Sequence, residues 1–511
     1  MSLVTGGKAP GALYELVARG AKDKYFFIRD ASDASIIPEN PFNNFYEPTA
    51  PRIPEVRAQQ PLNAADFGRP VEFQLETFGD ILTDATVVID LPAWFDSLPV
   101  VAAEPSAGSV RQSVLANDWR CADADASGVA FGYTNGIGYT LFERIQIFQD
   151  RILLVDITGD SLQAIQATEN SWNGAYLTDR LVGKHNGSAR SIGINAQPGR
   201  LRLRLPWPGC QHRDDGGFPL CAARAQNFRV RLVLRRLEDI IEGSDGRFFP
   251  KPWAIDAGGS LRIGPPRTFT ALDENGVTLT ATSLPREKIG LPLIQLETTQ
   301  LYISPADVEE LQKAKLHIPF RNYEDQEYSA NEPDYAPLDK AGTAPITRRL
   351  EGRHPVERVV WYFREAQALQ AGQRWRLTAD TVYAGASLNS TGDFYGGLKL
   401  VIAGQDREET WQPSVWQEVV SFAKDDRWSG RQQNEMRWSL GAQCERDTPA
   451  ARQLEGAVNF STADRPTFYM TLLNVLHNPV TQQRKTFLQI CTEQWCVMEF
   501  EGGRCRLLFM N

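Results

Sequence analysis

Gly159-Asp160-Ser161-Leu162 directly follows the apolar run Arg151 to Ile157. A serine placed behind a strand is where a nucleophile for ester hydrolysis would stand, and it stays weak without a base to activate it. An Asp-x-x-His pair is one arrangement that would supply that base. None of His185, His212, His317, His354 and His477 has aspartate at that spacing. The motif therefore predicts a helix start, with a serine and an acid in the first turn, and no catalytic residue. Cys210-x-His212 with Cys221 offers metal-ligand types but lacks a fourth ligand nearby. Cys491, Cys496 and Cys505 fit small buried hydrophobes better. No phosphate-binding glycine motif occurs. The expectation is a protein with no active site, no metal and no cofactor. The sequons at Asn186, Asn389 and Asn459 read as accidental, because no secretory leader precedes them.

The elements that carry these residues have a period of two. Val71, Phe73 and Leu75 alternate with Glu72, Gln74 and Glu76. Leu201, Leu203 and Leu205 alternate with Arg202 and Arg204, and Phe228, Val230, Leu232 and Leu234 repeat the pattern. Such runs are half-buried strands. Strands are also predicted at 86–91, 139–149, 151–157, 294–303, 356–363, 374–383, 398–403 and 468–476. Short helices are predicted at 160–169, 413–422 and after Ser304, where Pro305 suits the first helical position. Residues 96–136 and 324–350 read as long polar loops. Gly502-Gly503 marks a terminal hairpin turn. Pairing outward from it sets Glu501 against Arg504, Phe500 against Cys505, Glu499 against Arg506 and Met498 against Leu507.

Many short strands, 40 Gly and 31 Pro, and little helix make an all-β chain. The pattern divides it into an arm at 1–60, a first sandwich at 61–242, a linker at 243–259 and a second sandwich at 260–511. Six prolines between Pro38 and Pro61 forbid regular structure in the arm. Its apolar residues Leu13, Leu16, Tyr25, Phe26, Phe27, Phe42 and Phe45 need a surface to lie on. No run is long and apolar enough for a membrane helix. The balance of 54 basic and 63 acidic residues, net −9, argues against direct contact with nucleic acid. Seven cysteines without a leader are expected as reduced thiols.

Several segments, in order, resemble the double jelly-roll major capsid proteins of nucleocytoplasmic large DNA viruses. Residues 11–25, from Gly11-Ala-Leu-Tyr-Glu-Leu-Val, are similar to the family's "Gly-Gly-Leu…Leu-Val-Ala-x-Gly-Ala-x-Asp" stretch. Phe67-Gly-Arg-Pro-Val71 through Val88-Ile-Asp-Leu-Pro92 resembles the first strand pair, and Asn135-Gly-Ile-Gly-Tyr-Thr-Leu141 the next strand. Leu205-Pro-Trp207 with Phe218-Pro-Leu220, His354-Pro-Val356 with Val360-Trp361, Leu398-Lys-Leu400 with Arg407, and Gly456-Ala-Val-Asn-Phe-Ser461 continue the series. Ala403 stands where the family has Asn, and Thr462-Ala463 where it has Arg-Ile, which marks a divergent member.

The resemblance implies two consecutive eight-stranded antiparallel jelly rolls with short helices and long loops. It implies a structural role: a homotrimeric, pseudo-hexameric capsomer that tiles an icosahedral virion shell and is assembled in the host cytoplasm. The implied partners are further copies, neighbouring capsomers, and minor capsid or inner-membrane-associated viral proteins. A poxvirus-type scaffold protein and a carbohydrate-binding β-sandwich are the alternatives.

Overall fold

A computed structural model describes residues 52–92, 101–102, 128–129, 131–169, 179–184, 199–211, 216–243, 253–255, 261–263, 271–272, 278–279, 283–284, 290–329, 343–365, 369, 372, 374–375, 395–407, 409–420, 434–438, 456–463, 465–473 and 486–508. The arm residues Leu13, Leu16, Tyr25, Phe26, Phe27, Phe42 and Phe45 lie outside the described residues; of the strand expected at 374–383, Arg374 and Trp375 form a turn and the rest lies outside them too.

Strand pairing in the first sandwich is nested. The outermost pair joins Ile53–Gln59 to Leu293–Tyr302. Inside it, Pro70–Gln74 pairs with Phe228–Leu234. Ile81–Asp90 then pairs with Arg200–Arg204, and the innermost hairpin joins Phe142–Gln149 to Ile152–Ile157. Eight antiparallel strands wound in this way are a jelly roll. The pairs alternate between two sheets, one holding the first and third, the other the second and fourth. The period of two decides which side chains meet between the sheets: Val87, Ile89, Leu203 and Leu296 from one, Phe73, Ile145, Val230 and Leu232 from the other.

The same nesting recurs downstream. Leu316–Ser329 pairs with Thr486–Glu501, Thr343–Arg349 with Thr467–Leu473, Pro355–Glu365 with Asn434–Arg437, and Tyr395–Ile402 with Gln405–Asp406. Val359, Trp361, Phe363, Leu488 and Ile490 face Ile346, Leu398, Leu400, Phe468 and Met470 across this second core. Trp361 meets Phe468 and Trp416 edge-on, at 5.1 and 5.8 Å between ring centroids.

Three stretches differ from the sequence expectation. Ile53–Gln59, counted with the arm, is an edge strand of the first jelly roll. Pro54 is tolerated there because an edge strand can lack an N–H on its outer side. Leu293–Tyr302, counted with the second half, closes the first nest between Ile53–Gln59 and Ile81–Asp90. The stretch 324–350 is not all loop: Leu316–Ser329 and Thr343–Arg349 are strands, each at a sheet edge that accommodates Pro319 or Pro345. The chain between the two nests is therefore 303–315. Its helix, Pro305–Lys313, is capped by Ser304 Oγ, which accepts from Asp307 N at 3.2 Å.

The C-terminal hairpin pairs in the expected register, Glu501 with Arg504 through to Met498 with Leu507. Gly502 and Gly503 take φ of +61° and +79°, the left-handed pair that a two-residue hairpin turn requires.

Candidate functional site

The sheet containing Pro355–Glu365 is apolar towards its own core on one face, with Val359, Trp361 and Phe363. On the other face Val360 and Tyr362 join the core of the first jelly roll. Arg358 and Arg364 share that second face by strand periodicity. The two jelly rolls thus meet along a wall that is partly apolar and partly charged, and the motif Gly159-Asp160-Ser161-Leu162 sits on it.

Each residue of that motif has a structural task. The helix Gly159–Glu169 starts against the turn before Phe142–Gln149. A Cβ on Gly159 would lie 2.1 Å from the Tyr139 carbonyl oxygen and 2.6 Å from that of Phe142. Only glycine permits so close an approach. Leu162 is core, 1% exposed.

Asp160 is 3% exposed and receives three guanidinium groups. Arg235 of the first jelly roll donates to its Oδ2 at 2.6 Å. Arg364 and Arg374 of the second donate to the same oxygen at 2.7 and 3.4 Å. Burial alone would push this acid up, but Arg235, Arg364 and Arg374 together hold it down at about 2. Ser161 is fully buried; its Oγ shares a 3.1 Å hydrogen bond with Tyr362 Oη. Asp325, also from the second jelly roll, accepts from Thr158 N at 2.9 Å. Burial pushes the Asp325 carboxyl up. Among the described residues no histidine touches Ser161. The arrangement is a clamp between two sandwiches.

Two further contacts extend the junction. Gln211 of the first jelly roll brackets the Arg321 backbone, donating to its oxygen and accepting from its N–H at 2.7 Å. Arg321 lies over the Trp495 ring at 4.7 Å and reaches Glu357 at 3.1 Å and Glu493 at 3.2 Å. Arg358 joins Glu493 at 2.5 Å, and Arg437 joins Glu435 at 3.2 Å. These three arginines and three glutamates are all at most 5% exposed. A bulge at Glu357, where Val356 and Arg358 oppose neighbouring residues Gln494 and Glu493, aims that carboxylate at Arg321. At the far end, the C-terminal hairpin clips onto the first jelly roll. Gln226 accepts from Cys505 N at 2.7 Å and donates to its oxygen at 3.1 Å. Phe500 meets Phe218 edge-on at 5.3 Å.

Cys491, Cys496 and Cys505 are buried in the apolar core, the packing role expected of them. Cys210 and Cys221 are buried too, and Cys210 Sγ donates to the Leu82 oxygen at 3.0 Å. Sequence reasoning missed the clamp arginines. The signal was present as charged residues inside the apolar run Val356 to Glu365, which can be buried only with partners.

Solved structures share this architecture. The chain is similar to VP54 of PBCV-1, as fitted into a reconstruction of the virophage Sputnik, at 14% identity over 92% of this chain and 100% of that one, with a TM-score of 0.62. A quasi-atomic model of the PBCV-1 capsid gives 15% identity, the same coverage and 0.62. The Faustovirus major capsid protein gives 13% identity over 96% and 98% of the two chains, with 0.58. No family model matches the chain, and no curated protein matches it in sequence. At these identities the likeness is one of fold: the chain has the double jelly-roll fold of viral capsid proteins, the class that its sequence resembles.

Proposed function

We propose that this chain is a major capsid protein. Three copies form a near-hexagonal capsomer, and capsomers tile the icosahedral outer shell of a large DNA virus, assembled in the host cytoplasm. The observation that carries this reading is the pair of complete eight-strand nests joined by a buried junction, in a fold shared with the PBCV-1 and Faustovirus capsid proteins. Two such wedges in one chain turn a threefold particle into six similar blocks, an outline that tiles a surface. The net charge of −9 suits a shell that makes no direct contact with the genome. The protein has a structural role and no enzymatic one. The chain divides into an arm before Ile53, a first jelly roll to Tyr302 and a second from Leu316. The arm residues Leu13, Leu16, Tyr25, Phe26, Phe27, Phe42 and Phe45 serve contacts with neighbouring capsomers and with minor or inner-membrane-associated proteins.

Light scattering and negative-stain imaging of purified protein test the reading. About three times the chain mass of 57.1 kDa and six-lobed particles are expected. A stable monomer at micromolar concentration overturns it.

A further inference from the structure

Among the described residues, the Asp160 clamp brings more cations than anions into direct contact. Three guanidinium cations converge on one carboxylate oxygen. Arg364 and Arg374 feel two more acids, Glu327 and Asp239, but only through space. Asp325, beside Ser161, makes no ion pair with these three guanidinium groups among the described residues, and burial pushes its carboxyl up. Burial and the charge of Arg235 bring even Arg374 down to about 10.

The donors are also incompletely used. The Nε–H groups of Arg235 and Arg374 are buried and have no hydrogen-bond partner. Arg235 is only 9% exposed, so solvent does not reach its unused donor. A guanidinium presents its N–H groups in a planar fork that suits anions, and it cannot relieve the charge by losing a proton.

We propose that the junction binds a small monovalent anion of halide size, held by the guanidinium edges of Arg235 and Arg374 that Asp160 leaves open. Asp160 Oδ1 is buried and unpartnered too and repels an anion, so the ion lies on the side of the guanidiniums turned away from it. A water molecule would satisfy the donors and leave the excess charge in place. The burial of Arg235 favours a monatomic ion over a phosphate. Arg374, with 17% of its side chain exposed, provides the route in. The ion joins the two jelly rolls, because Arg235 belongs to the first and Arg374 to the second. This inference rests on the junction itself and is independent of the capsid reading.

Thermal unfolding of the full chain in sodium chloride or bromide, against sodium gluconate at equal ionic strength, tests it. A ligand that binds only the folded state raises stability with the logarithm of its concentration above Kd. A rise in Tm that is logarithmic in halide concentration is expected with the halides only, and Arg374→Gln should abolish it while responding to gluconate as the parent does. Equal Tm in the two salts, a rise linear in salt concentration, or a halide effect retained in Arg374→Gln overturns the proposal. If that variant does not fold, anomalous scattering from bromide-soaked crystals of the parent decides. A peak between Arg235 and Arg374 supports the site, and water alone refutes it.

Discussion

Asp160→Asn changes one charge in the junction and almost no volume. Asn can still occupy the site but cannot balance the guanidiniums of Arg235, Arg364 and Arg374, which approach Asp160 at 2.6, 2.7 and 3.4 Å. Two estimates bracket the cost. The carboxyl falls from an ordinary 3.8 to about 2. At about 1.36 kcal/mol per unit, the junction prefers the charged acid to the neutral one by about 2.5 kcal/mol. Removing one partner from a buried ion pair typically destabilises by about 3–5 kcal/mol. For a large domain each kcal/mol lowers Tm by about 2 °C, so a fall of about 5–10 °C is expected by calorimetry. The double variant Asp160→Asn, Arg364→Met tests the cause, because it removes a cation together with the anion. It should be less destabilised than the sum of the two single variants by at least about 1 kcal/mol. A Tm for Asp160→Asn within 1 °C of the parent, or strict additivity in the cycle, would refute the clamp.

Gly159→Ala forces a methyl group against two carbonyl oxygens and should destabilise by about 3 kcal/mol or yield insoluble protein. Ser161→Ala loses buried hydrogen bonds to Tyr362 and Asp325 and should lower Tm by about 2–6 °C, and a fluorophosphonate probe should leave native Ser161 unlabelled. Because the Asp160 carboxyl is lowered, its stabilisation is complete above about pH 4 and is lost as pH falls through about 2; the parent should lose more Tm over that window than Asp160→Asn does. Burial pushes the Cys496 and Cys505 thiols up to about 12, so neither should react with a disulfide reagent at pH 8 in the native protein, and denaturant should release all seven thiols. Deleting residues 1–35 should leave trimers melting within a few degrees of the parent but unable to form a lattice; monomeric or insoluble product would place the arm in the subunit fold.

Where a strand has one buried and one wet face, the sequence announces it. Phe228–Leu234 and Arg200–Arg204 show this plainly, and the terminal hairpin could be paired residue by residue because charge met charge and apolar met apolar. Leu316–Ser329 was illegible for the opposite reason. Its Arg321 and Tyr323 are polar or amphipathic, yet buried or nearly so against the other jelly roll, so hydrophobicity no longer tracks burial. Ile53–Gln59 failed differently: almost every residue in it is exposed, which leaves no apolar stripe to detect. The alternation in Leu293–Tyr302 announces a strand, but its position along the chain points to the second half and its pairing is with the first. Alternation says that a segment pairs, not with what, and the nest closes over more than 200 residues between Ile81–Asp90 and this strand.

The Gly-Asp-Ser-Leu motif shows how far residue types alone can lead. Its glycine, acid and serine are the groups a hydrolase would use, and here each is consumed by packing or by the other jelly roll. The division of labour along the junction follows from the forces involved. Apolar contact, as between Phe218 and Phe500, is favourable but tolerates sliding and rotation. A carboxylate held by arginines from both sides, and a glutamine that brackets one backbone unit, are satisfied at one relative placement of the two sandwiches and poorly at any other. Buried charge adds little net stability over an apolar wall, and its gain here is a fixed orientation. In the proposed capsomer that orientation is what counts. Six wedges close into a ring only if the angle inside each chain matches the angle between chains, and an error within the chain repeats at every subunit of the shell.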